Sequence, residues 1–133
     1  MKNCPICNGT VEYTTKSITH TYKDHKKQID QSGYYCKNCG ESFLSPKDLK
    51  STQKDISNFK REVDHLLTTE ELKRIRKKSH LTQQEAANIF GGGVRAFHKY
   101  ETAEVTQSKP LDILFRLIDS DKITVEDIKQ VTL

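Results

Sequence analysis

The sequence has no tryptophan, few aromatic residues and few apolar ones, and each shortage excludes a class of protein. Only 34% of its 133 residues are hydrophobic and 8% are aromatic, which is enough for one ordinary core or two small ones. No run reaches the 18 apolar residues of a membrane-spanning helix. Residues 1–7 also lack the apolar stretch of a secretory signal. We therefore expect a cytoplasmic chain with no membrane partner.

Positively and negatively charged residues are present in similar numbers. The chain has 22 Lys and Arg against 18 Asp and Glu, so its formal net charge is +4. A surplus of this size permits a nucleic-acid partner without requiring one.

The four cysteines carry the first clear chemical signal. They form two C-x-x-C pairs, Cys4 with Cys7 and Cys36 with Cys39, separated by 28 residues. The two residues inside a pair let one tight turn point both sulfurs at one place, and two such turns make a closed tetrahedral site. A thioredoxin-like redox pair, two disulfides, or iron instead of zinc are the alternatives. Because a redox pair needs a βαβ context that is absent here and a cytosolic chain keeps its thiols reduced, we predict one structural Zn²⁺ per chain.

The segment between the cysteine pairs predicts β-structure. Residues 11–35 show partial alternation of apolar and polar side chains, which is typical of short strands. Turn signals occur at Asp24-His25 and at Gln31-Ser32-Gly33. We expect His20 and His25 to be solvated strand residues, since four cysteines already satisfy zinc.

A helix is predicted next. Ser45 is a candidate N-cap, with Pro46 at the first helical position and Asp48 three residues after the cap. The apolar residues that follow form one narrow stripe: Leu49, Ile56, Phe59, Val63 and Leu66. This helix should pack on the zinc module and lead to a second domain, which predicts domains at residues 1–66 and 67–133.

The second domain reads as a series of short helices. One follows Thr69, and a capping box at Thr82-Gln83-Gln84-Glu85 opens another, which Gly91-Gly92-Gly93 ends. A third begins at Val94, and two more begin near Pro110 and Thr124. Since a short helix, a glycine turn and a second helix make a helix-turn-helix, the predicted fold is α+β: a small N-terminal zinc-binding β module with a helix, then an all-α helix-turn-helix domain of about five helices.

The third of these helices carries candidate DNA contacts. Val94 and Phe97 should pack inward, whereas Arg95 and Lys99, four residues apart, should point outward together. Arg95 can pair with guanine O6 and N7, and Lys99 can do so less rigidly or hold a phosphate. The alternative is that both are ordinary solvated charges. Phosphate contacts are predicted for Lys77, Lys78, Thr82, Gln83 and His98.

The last two helices contain more apolar residues than a domain of this size must bury. This favours dimerisation through the C-terminal domain, although the same residues can simply close its core. They are Leu111, Leu114, Leu117, Ile118, Ile128 and Val131.

Taken in order, the motifs resemble those of MqsA-type antitoxins, which combine a YgiT-type zinc finger with an Xre-type helix-turn-helix. The matching segments are Cys4-Pro5-x-Cys7, Gly33-x-Tyr35-Cys36-x-x-Cys39, Leu81-Thr82-Gln83-x-Glu85-Ala86 and Ile89-Phe90-Gly91-Gly92-Gly93-Val94 through Tyr100-Glu101. The resemblance implies a two-domain dimer that is not an enzyme. Its zinc domain would neutralise an mRNA-cleaving toxin, and its helix-turn-helix would repress the operon at an inverted repeat.

This chain departs from the family pattern at two places. The paired base-reading positions of the family fall on Arg95 and Lys99, where better-known members have Asn and Arg, so we expect a different operator sequence. The glycine usual after Tyr-Glu is missing from residues 101–104. The resemblance assigns no toxin contacts within residues 11–32. A stand-alone zinc-ribbon helix-turn-helix regulator without a toxin remains the alternative.

Overall fold

The computed structural model describes residues 2–132 and divides into two compact units, one ending at Ile56 and the other beginning at Ser57. The first unit contains the sheet and the start of the first helix, and the second contains the rest of that helix and five more. The elements are β1 (Val11–Tyr22), β2 (His25–Cys36), β3 (Ser42–Phe43), α1 (Pro46–Val63), α2 (Thr69–Lys78), α3 (Gln83–Phe90), α4 (Ala96–Glu101), α5 (Lys109–Asp119) and α6 (Val125–Thr132). The predicted α+β fold class is confirmed.

The sheet is one long hairpin with a short third strand. β1 and β2, 12 residues each, pair antiparallel along their whole length, from Val11 opposite Cys36 to Tyr22 opposite His25. Lys23 and Asp24 form the turn with φ of 47° and 66°, the positive values that a two-residue hairpin turn requires. β3 pairs with Tyr34 and Tyr35 on the other side of β2, giving the order β1-β2-β3.

The prediction of several short strands was wrong at residues 31–33, which lie inside β2 and not in a turn. The Gln31 side chain, only 5% exposed, donates from Nε2 to the Asp48 carbonyl at 2.9 Å. Its Oε1 accepts from Thr52 Oγ1 at 2.8 Å. Because a buried amide is tolerated when its groups are paired, a polar residue that resembles a turn signal can occupy a strand interior.

Helix α1 begins as predicted. The Asp48 N–H donates to Ser45 Oγ at 3.1 Å and the Ser45 N–H donates to Asp48 Oδ2 at 2.9 Å, a reciprocal cap. Tyr13 also donates its hydroxyl to Asp48 Oδ1 at 2.6 Å, and this bond is the main cause that lowers the pKa of Asp48. Leu49, expected in the apolar stripe, is 54% exposed, because the side of α1 that meets the sheet uses Asp48 and Thr52 instead.

The second unit has its own apolar core. Phe97 and Phe115 stack with ring centroids 5.7 Å apart, and Phe90 meets Phe115 edge-on at 5.1 Å. The buried members are Leu67, Leu72, Ile75, Leu81, Ala86, Ala87, Ala96, Phe97, Leu111, Phe115, Ile118 and Ile128. Residues from α2 through α6 contribute to this one cluster, so the five short helices form a single packed unit.

The end of α1 is fixed in the second unit by a buried arginine. Arg61 is fully buried and donates from Nε to Gln107 Oε1 at 3.0 Å and from Nη2 to the carbonyls of Tyr100 and Val105 at 3.2 and 3.0 Å. Burial lowers the pKa of Arg61. The last turns of α1 therefore belong to the helical unit.

Across residues 2–132, no helix is long and apolar enough to cross a bilayer.

Candidate zinc centre and nucleic-acid interface

The four cysteine sulfurs converge on one point in the first unit. All four lie within 4.8 Å of one another, with Cys4 Sγ 3.7 Å from Cys39 Sγ and Cys7 Sγ 3.4 Å from Cys36 Sγ. A tetrahedron with Zn–S bonds of about 2.3 Å has sulfur–sulfur edges of about 3.8 Å. The cluster therefore fits a four-coordinate zinc ion. Four thiolates complete its coordination, and the chemistry that the metal supplies is cross-linking of the two turns.

Each C-x-x-C turn directs backbone N–H groups at its own sulfurs. Ile6 N donates to Cys4 Sγ at 3.4 Å, and Gly9 N donates to Cys7 Sγ at 3.4 Å. Gly9 also lies where the two turns approach: a Cβ there would be 2.7 Å from the Cβ of Asn38 and 3.2 Å from two of the sulfurs. A side chain at this position would separate the ligands, so glycine is required by space.

The pKa values of Cys7 and Cys39 shift in opposite directions because the two thiols have different hydrogen-bond partners and thiol neighbours. Hydrogen bonds, first from Asn38 and then from the Gly9 N–H, lower the pKa of Cys7 to about 6. A backbone hydrogen bond from Glu41 acts to lower the pKa of Cys39, but desolvation and the other three thiols raise it to about 12. Several thiolates in contact repel one another, and a bound divalent cation relieves this repulsion. Neither His20 nor His25 belongs to the cluster.

Helices α3 and α4 and the glycine turn between them form a helix-turn-helix. Gly91 ends α3 with φ of 86°, and Gly92 and Gly93 follow at 96° and 95°. Three consecutive residues in this conformation explain a run of glycines, since other side chains are strained there. A Cβ at Gly92 would also lie 3.0 Å from the Cβ of Ala96. The turn is therefore tight against the start of α4.

Helix α4 starts two residues later than predicted. Arg95 is its N-cap residue, and Val94 lies outside the helix with 71% of its surface exposed. The expectation that Val94 packs inward was wrong, because the glycine turn carries the chain away from the core before α4 begins. Phe97 is fully buried, as expected.

Arg95 and Lys99 both lie at the surface of this motif. The Lys99 N–H donates to the Arg95 carbonyl at 3.0 Å, so the two residues are one helical turn apart. Both are exposed, and within residues 2–132 neither forms an ion pair. Two cations are thus available to a ligand, one at the N-cap of α4 and one in its last turn.

A buried ion pair that joins α2 to the helix-turn-helix was not predicted from the sequence. Arg76 Nε lies 2.7 Å from Glu101 Oε2, and Nη2 lies 2.9 Å from Oε1, with both side chains less than a tenth exposed. Arg76 also donates to the Leu81 carbonyl at 2.8 Å, and Gln83 Nε2 donates to Glu101 Oε1 at 3.3 Å. The pair connects α2, α4 and the start of α3. Arg76 lies on the buried side of α2, four residues after Leu72. That spacing is the sequence signal from which the burial of Arg76 could have been predicted.

Comparison with known proteins decides the family. Residues 1–129 match the sequence model of the family described as the antitoxin component of bacterial toxin-antitoxin systems, MqsA. The chain belongs to the MqsA antitoxin family. It is 30% identical over 129 residues to antitoxin MqsA of Escherichia coli (strain K12), covering 95% of this chain and 98% of that relative. The solved N-terminal domain of E. coli MqsA is also similar, at 25% identity and a TM-score of 0.43 over 47% of this chain and 97% of that one.

Within this MqsA-family chain, the predicted phosphate contacts occupy different environments. Lys77 is exposed, whereas Lys78 Nζ lies 3.6 Å from Asp119 Oδ1. Thr82 caps α3 by accepting from the Glu85 N–H, and Gln83 follows it at the first helical position. His98 is half-buried on α4. Thr82 and Gln83 are therefore brought to the N-terminus of α3, while Lys78 faces the end of α5.

Proposed function

We propose that this MqsA-family chain is the antitoxin of a type II toxin–antitoxin pair and acts in the cytoplasm. Its zinc module binds and neutralises an mRNA-cleaving toxin, and its helix-turn-helix represses the operon that encodes both proteins. The observation that carries the proposal is the pair of exposed cations Arg95 and Lys99 on a helix-turn-helix, in a chain matched over residues 1–129 by an antitoxin family.

For DNA, the proposal places α4 in the major groove with Arg95 on guanine and Lys99 on a second base or a phosphate. A two-fold dimer would read an inverted repeat whose half-sites are one helical turn, about 34–36 Å, apart. Exposed apolar residues on the last helices support a dimer through the C-terminal domain: Ile113 is 46% exposed and Val131 is 82% exposed. Phosphates would be held by Lys77, Lys78, Thr82, Gln83 and His98.

For the toxin, the proposal assigns binding to the zinc module, within a domain at residues 1–66, and DNA binding to residues 67–133. The metal's role is to hold the two C-x-x-C turns and the base of the hairpin together. Cys36 is both a ligand and the last residue of β2, so metal binding and the position of the sheet are directly connected. No catalytic step is assigned to the chain.

Co-expression with the adjacent gene tests both halves. We expect the neighbouring product to arrest growth alone, and the wild-type chain to relieve the arrest and co-purify with it. A Cys4→Ser, Cys7→Ser variant should lose this relief because it cannot close the metal site. An Arg95→Ala, Lys99→Ala variant should relieve arrest normally yet no longer bind DNA from upstream of its own gene.

The matched variants separate the alternatives. If the neighbouring product is harmless or does not bind, the antitoxin half is wrong, and DNA binding alone would indicate a stand-alone zinc-ribbon helix-turn-helix regulator. If the Arg95→Ala, Lys99→Ala variant binds the upstream DNA as tightly as the wild type, the proposed DNA surface is wrong.

A further inference from the structure

Val94 is an apolar side chain held in solvent at the start of the DNA-facing helix. It is 71% exposed and lies between the glycine turn and Arg95. Single exposed apolar residues are common and need no special explanation. The position of Val94 suggests a function, because the next residue in the chain, Arg95, is a candidate base-reading residue.

Packing does not account for Val94. A residue just before the N-cap often packs against the fourth residue of the helix, forming a hydrophobic staple. In α4 that fourth residue is Lys99, which is charged and exposed. The core contacts at this end of α4 come from Ala96 and Phe97, which are 5% and 0% exposed. The stability of the unit therefore does not depend on Val94.

The turn beside Val94 leaves room for a ligand to approach. Among residues 2–132, a Cβ placed on Gly91 or Gly93 would have no atom within 4 Å apart from its own chain neighbours, so both glycines face open space. Arg95, two residues after Gly93, supplies positive charge close to this open backbone, and Lys99 supplies a second charge one helical turn further along. A negatively charged groove could therefore come close to Val94 without meeting another side chain from the turn.

We propose that Val94 contacts the 5-methyl group of a thymine in the operator major groove, next to the base pair read by Arg95. Thymine is the base that presents a methyl group in that groove, and an aliphatic side chain recognises it by excluding water. This inference rests on the proposed function, since it requires the helix-turn-helix to bind DNA. It makes Val94 a specificity-determining residue.

The experiment removes the methyl group from the DNA. The binding site is first located by footprinting the wild-type chain on the DNA upstream of its own gene. Each thymine in the footprint is then replaced in turn by deoxyuridine, and affinity is measured by fluorescence anisotropy at one fixed salt concentration, because phosphate contacts make affinity salt-dependent. Burial of one methyl group corresponds to about a fourfold change in affinity. We expect that loss at one thymine in each half-site.

Two variants assign the effect to Val94. Val94→Ala should lose most of the difference in affinity between the thymine and deoxyuridine duplexes at that position, because its shorter side chain covers less of the methyl group, while keeping any sensitivity elsewhere. Val105→Ala is the matched control: Val105 is also exposed, at 45%, and the carbonyl that holds Arg61 is retained. This control should keep the fourfold loss. Unchanged thermal unfolding of both variants would show that each one folds.

The outcomes distinguish the inference from the proposed function. Tight DNA binding with no thymine at which Val94→Ala reduces the deoxyuridine effect overturns the inference and leaves the repressor role intact. The absence of any footprint overturns the DNA-binding half of the proposed function, and the role of Val94 with it.

Discussion

At the scale of single residues, the geometry of Arg95 makes it the stronger candidate for reading a base. Its guanidinium presents a planar fork that matches two acceptors on guanine, whereas the ammonium of Lys99 is a compact charge on a flexible chain. Both side chains are exposed and one helical turn apart, so each can reach the same groove. Arg95 should therefore contribute mainly to specificity.

We predict that Arg95→Ala costs about 1–3 kcal/mol at one base position of the operator and relaxes the preference there. Lys77→Ala is the control, because an exposed phosphate contact should weaken binding to all sequences alike and reduce the salt dependence. Affinities for duplexes with single base-pair changes, measured at several salt concentrations, separate the two patterns. An equal loss on operator and random DNA for Arg95→Ala would contradict direct base reading.

Ala103 lies in the segment where the family usually has a glycine, and its backbone conformation is one that favours glycine. Its φ is +67°, a left-handed conformation that costs an L-residue roughly 1–2 kcal/mol. We predict that Ala103→Gly stabilises the chain by up to about 1 kcal/mol, because the relief of strain is partly offset by the greater entropy of the unfolded chain and by the loss of a methyl group at a site only 8% exposed. Chemical denaturation measures the difference. Ala87→Gly, inside α3, also removes a buried methyl group but relieves no strain, so it should destabilise by about 1–2 kcal/mol. Similar effects of both variants would refute the argument.

At the scale of elements, most helix starts were predictable and most helix ends were not; the exception among the starts is α4, which has no side-chain cap and begins two residues later than predicted. The starts carry side-chain signals, and the reciprocal caps at Ser45, Thr82 and Thr124 are all present. The ends of α1, α2, α4 and α5 are instead closed by left-handed residues that are not glycine. These are His65, His80, Ala103 and Asp121. Their backbone hydrogen bonds close the helices without a sequence signal.

The predicted strand length was wrong for a related reason. Gln31 and its neighbours resemble a turn in sequence, and only the bonds to Asp48 and Thr52, 17 and 21 residues away, explain why they lie in a strand. The cysteine cluster was predictable because its spacing alone defines the chemistry. The exposure of Val94 was not, since it depends on the path of three glycines.

The contact between α5 and the loop that joins α1 to α2 provides a pH-dependent prediction. Asp112 is fully buried and accepts from the Leu67 N–H at 2.7 Å and from Arg116 Nε at 2.8 Å. Burial alone would raise its pKa, but these two bonds and one from Gln107 outweigh it and hold the pKa below its usual value. The carboxylate therefore contributes stability that is fully present above the unfolded-state pKa of about 3.9 and is lost as the pH falls through the lower folded-state pKa.

We predict that Asp112→Asn destabilises the chain by about 1.5–3 kcal/mol at pH 7 and flattens the loss of stability below about pH 4. Denaturation midpoints from pH 3 to pH 7 measure both effects. Asp55→Asn, at an exposed position on α1, controls for removal of one negative charge. If the stability of Asp112→Asn falls below pH 4 as steeply as that of the wild type, another carboxylate is responsible for the loss.

At the scale of the whole molecule, net charge is a poor guide to the DNA-binding half. Residues 1–60 carry ten bases and six acids, whereas residues 61–133 carry twelve of each. In α2, Arg74 and Lys78 are paired with Asp119, and Arg76 with Glu101. The positive surface that remains includes Lys77 and the cations of α4, so local placement and not the total should set the affinity for phosphate.

The two units have separate cores, and this separation leads to the last prediction. The first unit has a small apolar cluster around Cys4, Val11 and Cys36, so metal binding should supply part of its folding free energy. The core of the second unit runs from Leu67 to Ile128 and includes no metal ligand.

Treating the whole chain with a zinc chelator should therefore unfold the hairpin while operator affinity changes less than about twofold. Amide spectra would follow the loss of dispersed signals from β1 and β2 and their retention in α2 through α5, and readdition of zinc should restore them. Simultaneous loss of DNA binding would mean instead that the shared helix α1 transmits unfolding from one unit to the other.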